Sequence, residues 1–329
     1  MKVLFIGGTG NISTEVSKLA VAQGIDLYLL NRGTSGVSIP GTKSIKANIY
    51  NVEETRVALK DHNWDVVVNW IAFIPEHIQN DIELFRGKTK QYIFISSASV
   101  YQKPPTSHII TESTPIVNPF WKYSRDKIAC EEILQKVYQE EAFPMTIVRP
   151  SHTYNTTIPL SIGGWTEYTA IDRMKNGKKV IIHGDGTSLW TLTHAKDFAK
   201  GFNGLLGHDQ TVGHAIQITS DEVLNWNQIY QIVADTAGAK LNAVHISSEF
   251  ITKIAPGEKD GLWGDKSHCA IFDNTKIKTF VPSYRATIPF REGFKETLAW
   301  FESDPKRMIV NPNTEAMMER IIKAYESAF

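Results

Sequence analysis

The chain has 329 residues, of which 42% are hydrophobic and 21% charged, and 35 Lys+Arg balance 35 Asp+Glu to a formal net charge of zero. That apolar fraction without a charge excess excludes intrinsic disorder, and the length supports one large or two moderate domains. Neutrality removes the electrostatic argument for a nucleic-acid or membrane-surface partner, and no apolar run reaches the roughly 18 residues of a membrane span.

Lys2 to Ile6 predicts a fully buried strand, closed by Gly7-Gly8-Thr9-Gly10. Val16, Leu19, Ala20 and Ala22 recur at helical spacing before Gly24. Strands follow at Leu27 to Leu30 and Ser44 to Ala47, a helix at Val52 to Leu59, and a buried strand at Val66 to Trp70. Ile78 to Phe85 predicts a short helix and Tyr92 to Ile95 a strand running into Ser96-Ser97-Ala98-Ser99. Trp121 to Tyr138 is a long helix, and Met145 to Val148 a strand ended by Arg149-Pro150. Strands with little alternation, separated by helices, predict a parallel sheet covered on both faces, and right-handed crossovers make it a doubly wound, Rossmann-like α/β fold.

Beyond Pro150 the pattern loosens. Thr166 to Lys175, Phe198 to Leu206, Trp226 to Ala237, Phe294 to Phe301 and Glu315 to Ala328 read as helices, and Val180 to His183 and His214 to Thr219 as strands. The expected organisation is a cofactor lobe over 1–155 and a smaller mixed α/β substrate lobe over 156–329, closely and in part interleaved with the first. Cys130 and Cys269 lie far apart with no Cys-x-x-Cys, so they read as small core residues in a reducing compartment. The ten histidines show no close metal-ligand pattern, so no metal is expected. Val3-Leu4-Phe5-Ile6 stops at glycine too early for a signal-peptide core, and the expected location is the cytoplasm.

Two motifs carry chemistry. The first is Gly7-Gly8-Thr9-Gly10-Asn11-Ile12-Ser13, placed after a strand and before a helix. Glycine lets the backbone approach a pyrophosphate, and the helix N-terminus offers N–H groups and a positive dipole end. Ser13 stands where a third glycine is usual. The second strand ends in Leu30-Asn31-Arg32-Gly33, without the acidic residue that commonly holds a ribose. Asn31 can bond a ribose hydroxyl, and Arg32 suits a 2′-phosphate, so the cofactor is NAD or NADP with a lean to NADP. The second motif is Tyr123-Ser124-Arg125-Asp126-Lys127, the one Tyr-x-x-x-Lys of the chain. The i, i+4 spacing puts both side chains on one helix face, where an ammonium is expected to lower the phenol pKa. Ser97 lies at the carboxyl edge of its strand, where open α/β sheets bind ligands.

Together these residues resemble the extended short-chain dehydrogenase/reductase superfamily, and more closely its NAD-dependent epimerase/dehydratase branch. The resemblance runs from Lys2 to about Phe301. It implies that Ser97, Tyr123 and Lys127 form the catalytic triad, with Ser96-Ser97-Ala98-Ser99-Val100-Tyr101 matching the family's Ser-Ser-x-x-Val-Tyr. It places Asn48-Ile49 beside the adenine, Ile71-Ala72 at the turn after the fourth strand, and Arg149-Pro150 before the nicotinamide-side loop. Gly184-Asp185-Gly186, His194 to Asp197, Phe272 to Lys276 and Glu292-Gly293 resemble landmarks of the second lobe. The resemblance implies hydride transfer on a sugar or sugar nucleotide, and dimerisation through two helices of the first lobe.

The departures concern substrate. The position where sugar-nucleotide epimerases hold a diphosphate-binding arginine reads Trp190, and an indole cannot neutralise a diphosphate. The stretch from Ala72 to Tyr92 is also short for the family. Both differences resemble an atypical subgroup that includes chloroplast stem-loop-binding proteins, some of which bind RNA. His152 and Tyr154 follow Pro150 and, with Ser99, are candidates to face the substrate, while Trp165 and Trp263 border glycine-rich loops and could line a pocket. Gln102 to His108 reads as a solvated loop near the mouth. Three readings remain at this stage: a sugar or sugar-nucleotide epimerase/dehydratase, an NADP-dependent reductase of a small or aromatic carbonyl, and a non-enzymatic NAD(P)- or RNA-binding protein.

Overall fold

The first strand, β1 (Lys2–Ile6), alternates between two cores. Val3 and Phe5 enter one and Leu4 and Ile6 the other, and all four are fully buried. The same division recurs in β4 (Trp64–Asn69), with Val66 and Val68 on one face and Val67 on the other, and in β5 (Thr89–Ile95), with Ile93 and Ile95 opposed to Tyr92 and Phe94. An unbroken apolar run is what such a strand requires, because neither face meets water. The computed structural model describes residues 1–33 and 36–328.

Seven parallel strands form the central sheet. Adding β2 (Asp26–Asn31) and β3 (Lys43–Lys46), the order is Ala215–Ile218, Met145–Pro150, β5, β4, β1, β2, β3. Helix α1 (Ser13–Ala22) packs against the helix Ala195–Asn203, while α2 (Val52–Ala58) lies beside α3 (Pro75–Phe85) and α3 packs on α4 (Lys122–Glu141). The strand order reverses between β1 and β4, where a doubly wound sheet opens its ligand crevice.

The segment beyond 155 divides between two places. Ala215–Ile218 adds the seventh strand to the first sheet, and Ile216, Ile218, Phe198 and Phe202 fill the core that Val3 and Phe5 enter. The remainder builds a second core around Trp190, Trp226, Tyr154, Phe290, Phe294 and Ile321. Its long helices carry their own stop and start signals. Asn225 and Gln228 cap Trp226–Thr236 reciprocally, and Asn311 with Pro312 starts the last helix, Pro312–Glu326.

Predicted and observed helices differ mainly at their starts. Pro75 at the first helical position begins α3 three residues before Ile78, and the His194 ring, accepting from the Lys196 N–H, begins the helix at Ala195 rather than Phe198. The strand Ala243–Ile246, the helices Ser248–Ile254 and Thr275–Phe280, and a π-helical turn over Leu262–Lys266 were not anticipated. Among the described residues no helix is long and apolar enough to cross a membrane, and no group of His, Cys, Asp or Glu could hold a metal ion.

Candidate active site

The glycine turn sits over the carboxyl end of β1. Gly7 and Gly8 take φ of +92° and +96°, a region that side chains avoid. A Cβ at Gly8 would stand 2.7 Å from Leu29 Cδ2, so that position is closed to any larger residue. The Gly10 N–H donates to Ser13 Oγ at 2.8 Å, which explains why serine serves in the third-glycine slot. Asn11 turns its side chain to a distant segment: Nδ2 donates to the Thr153 carbonyl at 2.9 Å and Oδ1 accepts from the Thr156 N–H at 2.9 Å. Its amide therefore ties the glycine turn to residues 153–156.

Two cavities meet at Thr9, Ile71 and Phe73. The larger, of 840 Å³, is lined by the glycine turn, Ile12, Ser97, Ser99, Tyr123, Lys127 and Pro150; the smaller, of 330 Å³, by Asn31, Arg32, Asn48 and Ile49. These dimensions and the glycine cradle fit a dinucleotide, with its phosphates at the turn and its adenosine end in the smaller cavity. Asn31 Oδ1 already accepts from the Gly33 N–H at 2.9 Å, and Arg32 is exposed at the rim. Tyr50 roofs this end, donating to the Ile71 carbonyl at 2.8 Å and stacking on His77. Ala72 is fully buried and lines neither cavity; its carbonyl serves Lys127 instead.

The structure brings Ser97, Tyr123 and Lys127 together. The Lys127 ammonium is buried and donates to the Ala72 and Ile95 carbonyls, each at 2.7 Å. It lies 5.7 Å from the Tyr123 ring centroid. Burial pushes the ammonium down to about 7 and the Tyr123 phenol up to about 12. The expected lowering of the phenol by Lys127 is thus not what this arrangement produces. Desolvation penalises both charged forms, and the ammonium is committed to two carbonyls. What draws the phenol down in part is the Ser97 hydroxyl bonded to it.

Ser97 is itself the end of a hydroxyl chain. Ser124 Oγ donates to Ser99 Oγ at 2.8 Å, and Ser99 Oγ donates to Ser97 Oγ at 3.0 Å. The Ser97 hydrogen is therefore left for the phenol oxygen or for an oxygen bound beside it. Successive bonds of this kind polarise one another. Ser99 acts from behind Ser97 and is nearly buried.

The other substrate candidates separate. His152 lines the larger cavity; Tyr154 does not, because its pairing with His194 buries it against that ring and Phe290. Trp190 is also removed from the cleft. It is 1% exposed, packs on Trp226, and donates its indole N–H to His152 Nδ1 at 3.0 Å. An indole nitrogen only donates, so this bond fixes a neutral imidazole protonated at Nε2. Burial and the nearby Lys266 hold His152 well below the ordinary histidine range. Trp165 lines the cleft with a strained backbone, φ +70°, whereas Trp263 bonds Thr252 outside it. Trp121, Asp265 and Lys266 complete the lining and had no signal in local sequence. Lys103, inside the loop read as solvated, is 3% exposed and faces Asp265 at 3.8 Å.

The NAD dependent epimerase/dehydratase family model matches residues 3–219. A 2'-dehydrokanamycin reductase of Streptomyces kanamyceticus is 22% identical over 87% of this chain and 80% of its own. A UDP-glucose 4-epimerase of Lactobacillus helveticus is 24% identical over 68% and 76%. Among solved structures, dTDP-glucose 4,6-dehydratase of Bacillus anthracis str. Ames, in complex with NAD, superposes with a TM-score of 0.73 at 19% identity over 93% of this chain and 98% of that one. At that identity the likeness establishes the fold.

Proposed function

The chain belongs to the NAD dependent epimerase/dehydratase family, and on that premise we propose that it moves a hydride between NAD(P) and a carbinol carbon of a sugar or sugar nucleotide. The observation that carries this reading is the meeting of the Ser97–Tyr123 hydroxyl pair with Lys127 inside the cavity that the glycine turn lines. The turn, Ile12, Ile71 and Pro150 would hold the dinucleotide, with Asn31, Arg32, Asn48 and Ile49 around its adenosine end. When bound, that cofactor supplies or accepts the hydride. Tyr123 transfers the carbinol proton, and Ser97 donates to the same oxygen as its charge develops. Lys127 holds positive charge beside them in a site where burial strengthens every electrostatic contact.

A second reading, reduction of a small or aromatic carbonyl with NADPH, is favoured by Trp190 standing in the core and by Arg32 at the rim of the adenosine cavity. One experiment tests the chemistry common to both. Tyr123→Phe, assayed with NAD and NADP against nucleotide sugars, free keto sugars and aromatic aldehydes, should lose at least about a hundredfold in kcat. The dissociation constant of the dinucleotide should stay near that of the unaltered protein. Retained turnover rejects Tyr123 as the proton donor.

A further inference from the structure

The residues lining the larger cavity include two cations, Lys127 and Lys266. Lys127 is taken up by two carbonyls. Lys266 is different. It ends the π-helical turn Leu262–Lys266, its side chain is 18% exposed, and its nearest carboxylate is Asp265 at 4.0 Å, outside hydrogen-bond reach. That carboxylate has a second cation, the buried Lys103 ammonium at 3.8 Å. Two ammonium groups therefore flank the Asp265 carboxylate, Lys266 also faces the part-buried Glu258 carboxyl, and of the two ammonium groups only that of Lys266 lines the cleft.

The turn is fastened at three points. The Gly264 carbonyl accepts from Asn118 Nδ2 at 2.7 Å, and that amide also donates to the Ser99 carbonyl at 2.8 Å. The Lys266 carbonyl bonds His183 Nε2 at 2.8 Å. The Ser267 N–H donates to the Leu262 carbonyl at 2.9 Å. A Cβ at Gly264 would stand 2.7 Å from Trp121 Cβ, so the turn lies flat on the start of the catalytic helix. Single π-turns inside helices recur at functional sites because the extra residue re-aims a side chain. Here the Lys266 ammonium stands 5.8 Å from the Trp121 ring, whose centroid is 5.1 Å from that of Tyr123. Trp121 therefore neighbours both Lys266 and Tyr123.

We propose that Lys266 binds a single anionic group of the substrate, a carboxylate or a phosphate ester, carried on the far side of the ring from the carbon that reacts at Tyr123. The proposal rests on the reading of the cleft as a hydride-transfer site on a sugar. It supplies the charge that Trp190 withholds, but as one ammonium rather than a diphosphate clamp.

Binding is measured on the NAD-saturated Tyr123→Phe protein, where no turnover intervenes, by calorimetry with four probes: glucose 6-phosphate, glucuronate, UDP-glucose and the neutral methyl α-D-glucoside. At least one anionic probe should bind more tightly than the glucoside. Lys266→Met should weaken that probe about tenfold or more, the loss expected for a charge-assisted hydrogen bond. Lys266→Arg should retain most of the affinity, and the glucoside should respond to neither change. The phosphate and carboxylate arms identify the anion, and a loss confined to UDP-glucose assigns Lys266 to a diphosphate and overturns the single-anion assignment. Equal binding of all probes, or an unchanged anion affinity in Lys266→Met, overturns it as well. Hydride transfer plays no part in this measurement, so its failure leaves the proposed chemistry standing, and the converse holds.

Discussion

Glu131 ties α4 to the sheet through a buried ion pair with Arg149, and Glu131→Gln should be severely destabilising. Its carboxylate accepts from Arg149 Nε at 3.0 Å and from Nη2 at 2.5 Å, with both side chains at least 97% buried. Among the described residues Arg149 Nη1 has no hydrogen-bond partner, the guanidinium lies 4.9 Å from the Tyr101 ring, and Glu131 is the one carboxylate in an ion pair with it. The glutamine keeps the shape but removes the charge and turns an amide N–H toward a group that only donates. Leaving one partner of a buried pair uncompensated costs about 3–5 kcal/mol. At about 1.5 °C per kcal/mol for a chain of this length, the melting midpoint falls by about 4–7 °C. The assay is thermal and urea denaturation of the single variant and of Glu131→Leu/Arg149→Met. Removing both charges should restore most of the loss, since a well-packed apolar pair is often neutral relative to a buried ion pair. A single variant within about 1 kcal/mol of the unaltered protein, or a double variant no better than the single, would refute the argument.

Two further outcomes follow from burial. Asp81 is buried in α3, accepts from Tyr92 Oη at 2.5 Å, and is pushed up to about 7 by desolvation. The folded carboxyl therefore binds its proton more tightly than the unfolded one. Its contribution to stability is present below the ordinary carboxylate pKa near 4 and is lost as pH rises to 7. Asp81→Asn should remove that share of the slope between pH 4 and 7 in the denaturation midpoint, and an unchanged difference across that window would exclude Asp81 as its source. Trp190→Phe removes the indole N–H that fixes His152. Long-range ¹H–¹⁵N spectra of the imidazole should then show the Nδ1-protonated tautomer rising, with about 1 kcal/mol lost from the hydrogen bond. A spectrum that keeps Nε2 alone protonated would show that the indole does not set the tautomer.

How much of this was legible depended on whether the interaction was local. The glycine turn and Tyr123–Lys127 were readable because a strand end, a helix start and an i, i+4 spacing are all contained in a few residues. The doubly wound sheet was readable because β1, β4 and β5 are apolar without alternation. Trp190 was legible as a departure but not as a partner, since His152 lies 38 positions away in sequence. Lys103 and Asp265 are separated by 162 positions (265 − 103), and only the folded loop sets them 3.8 Å apart. The strand Ala215–Ile218 announced itself as a strand, yet its place in the first sheet is decided by Ile216 and Ile218 filling the core beside Val148.

The least legible feature is the protonation of the catalytic pair. Spacing alone suggests that a lysine acidifies its tyrosine, but proximity and burial act in opposite senses here. Desolvation raises Tyr123 and lowers Lys127, whose ammonium donates to two backbone carbonyls. At neutral pH burial therefore keeps the Tyr123 phenol protonated, which under the proposed chemistry is the form that gives a proton to a carbonyl oxygen during reduction. Oxidation of a carbinol needs the phenolate, which accepts the carbinol proton and which positive charge near the ring favours. Among the described residues the lining of the larger cavity holds one cation besides Lys127, Lys266 at 5.8 Å from the Trp121 ring, and Arg32 lines the other cavity. Under the proposed chemistry the three cations would answer separate needs: Lys127 beside the reacting oxygen, Arg32 at the adenosine end, and Lys266 at an anionic group of the substrate.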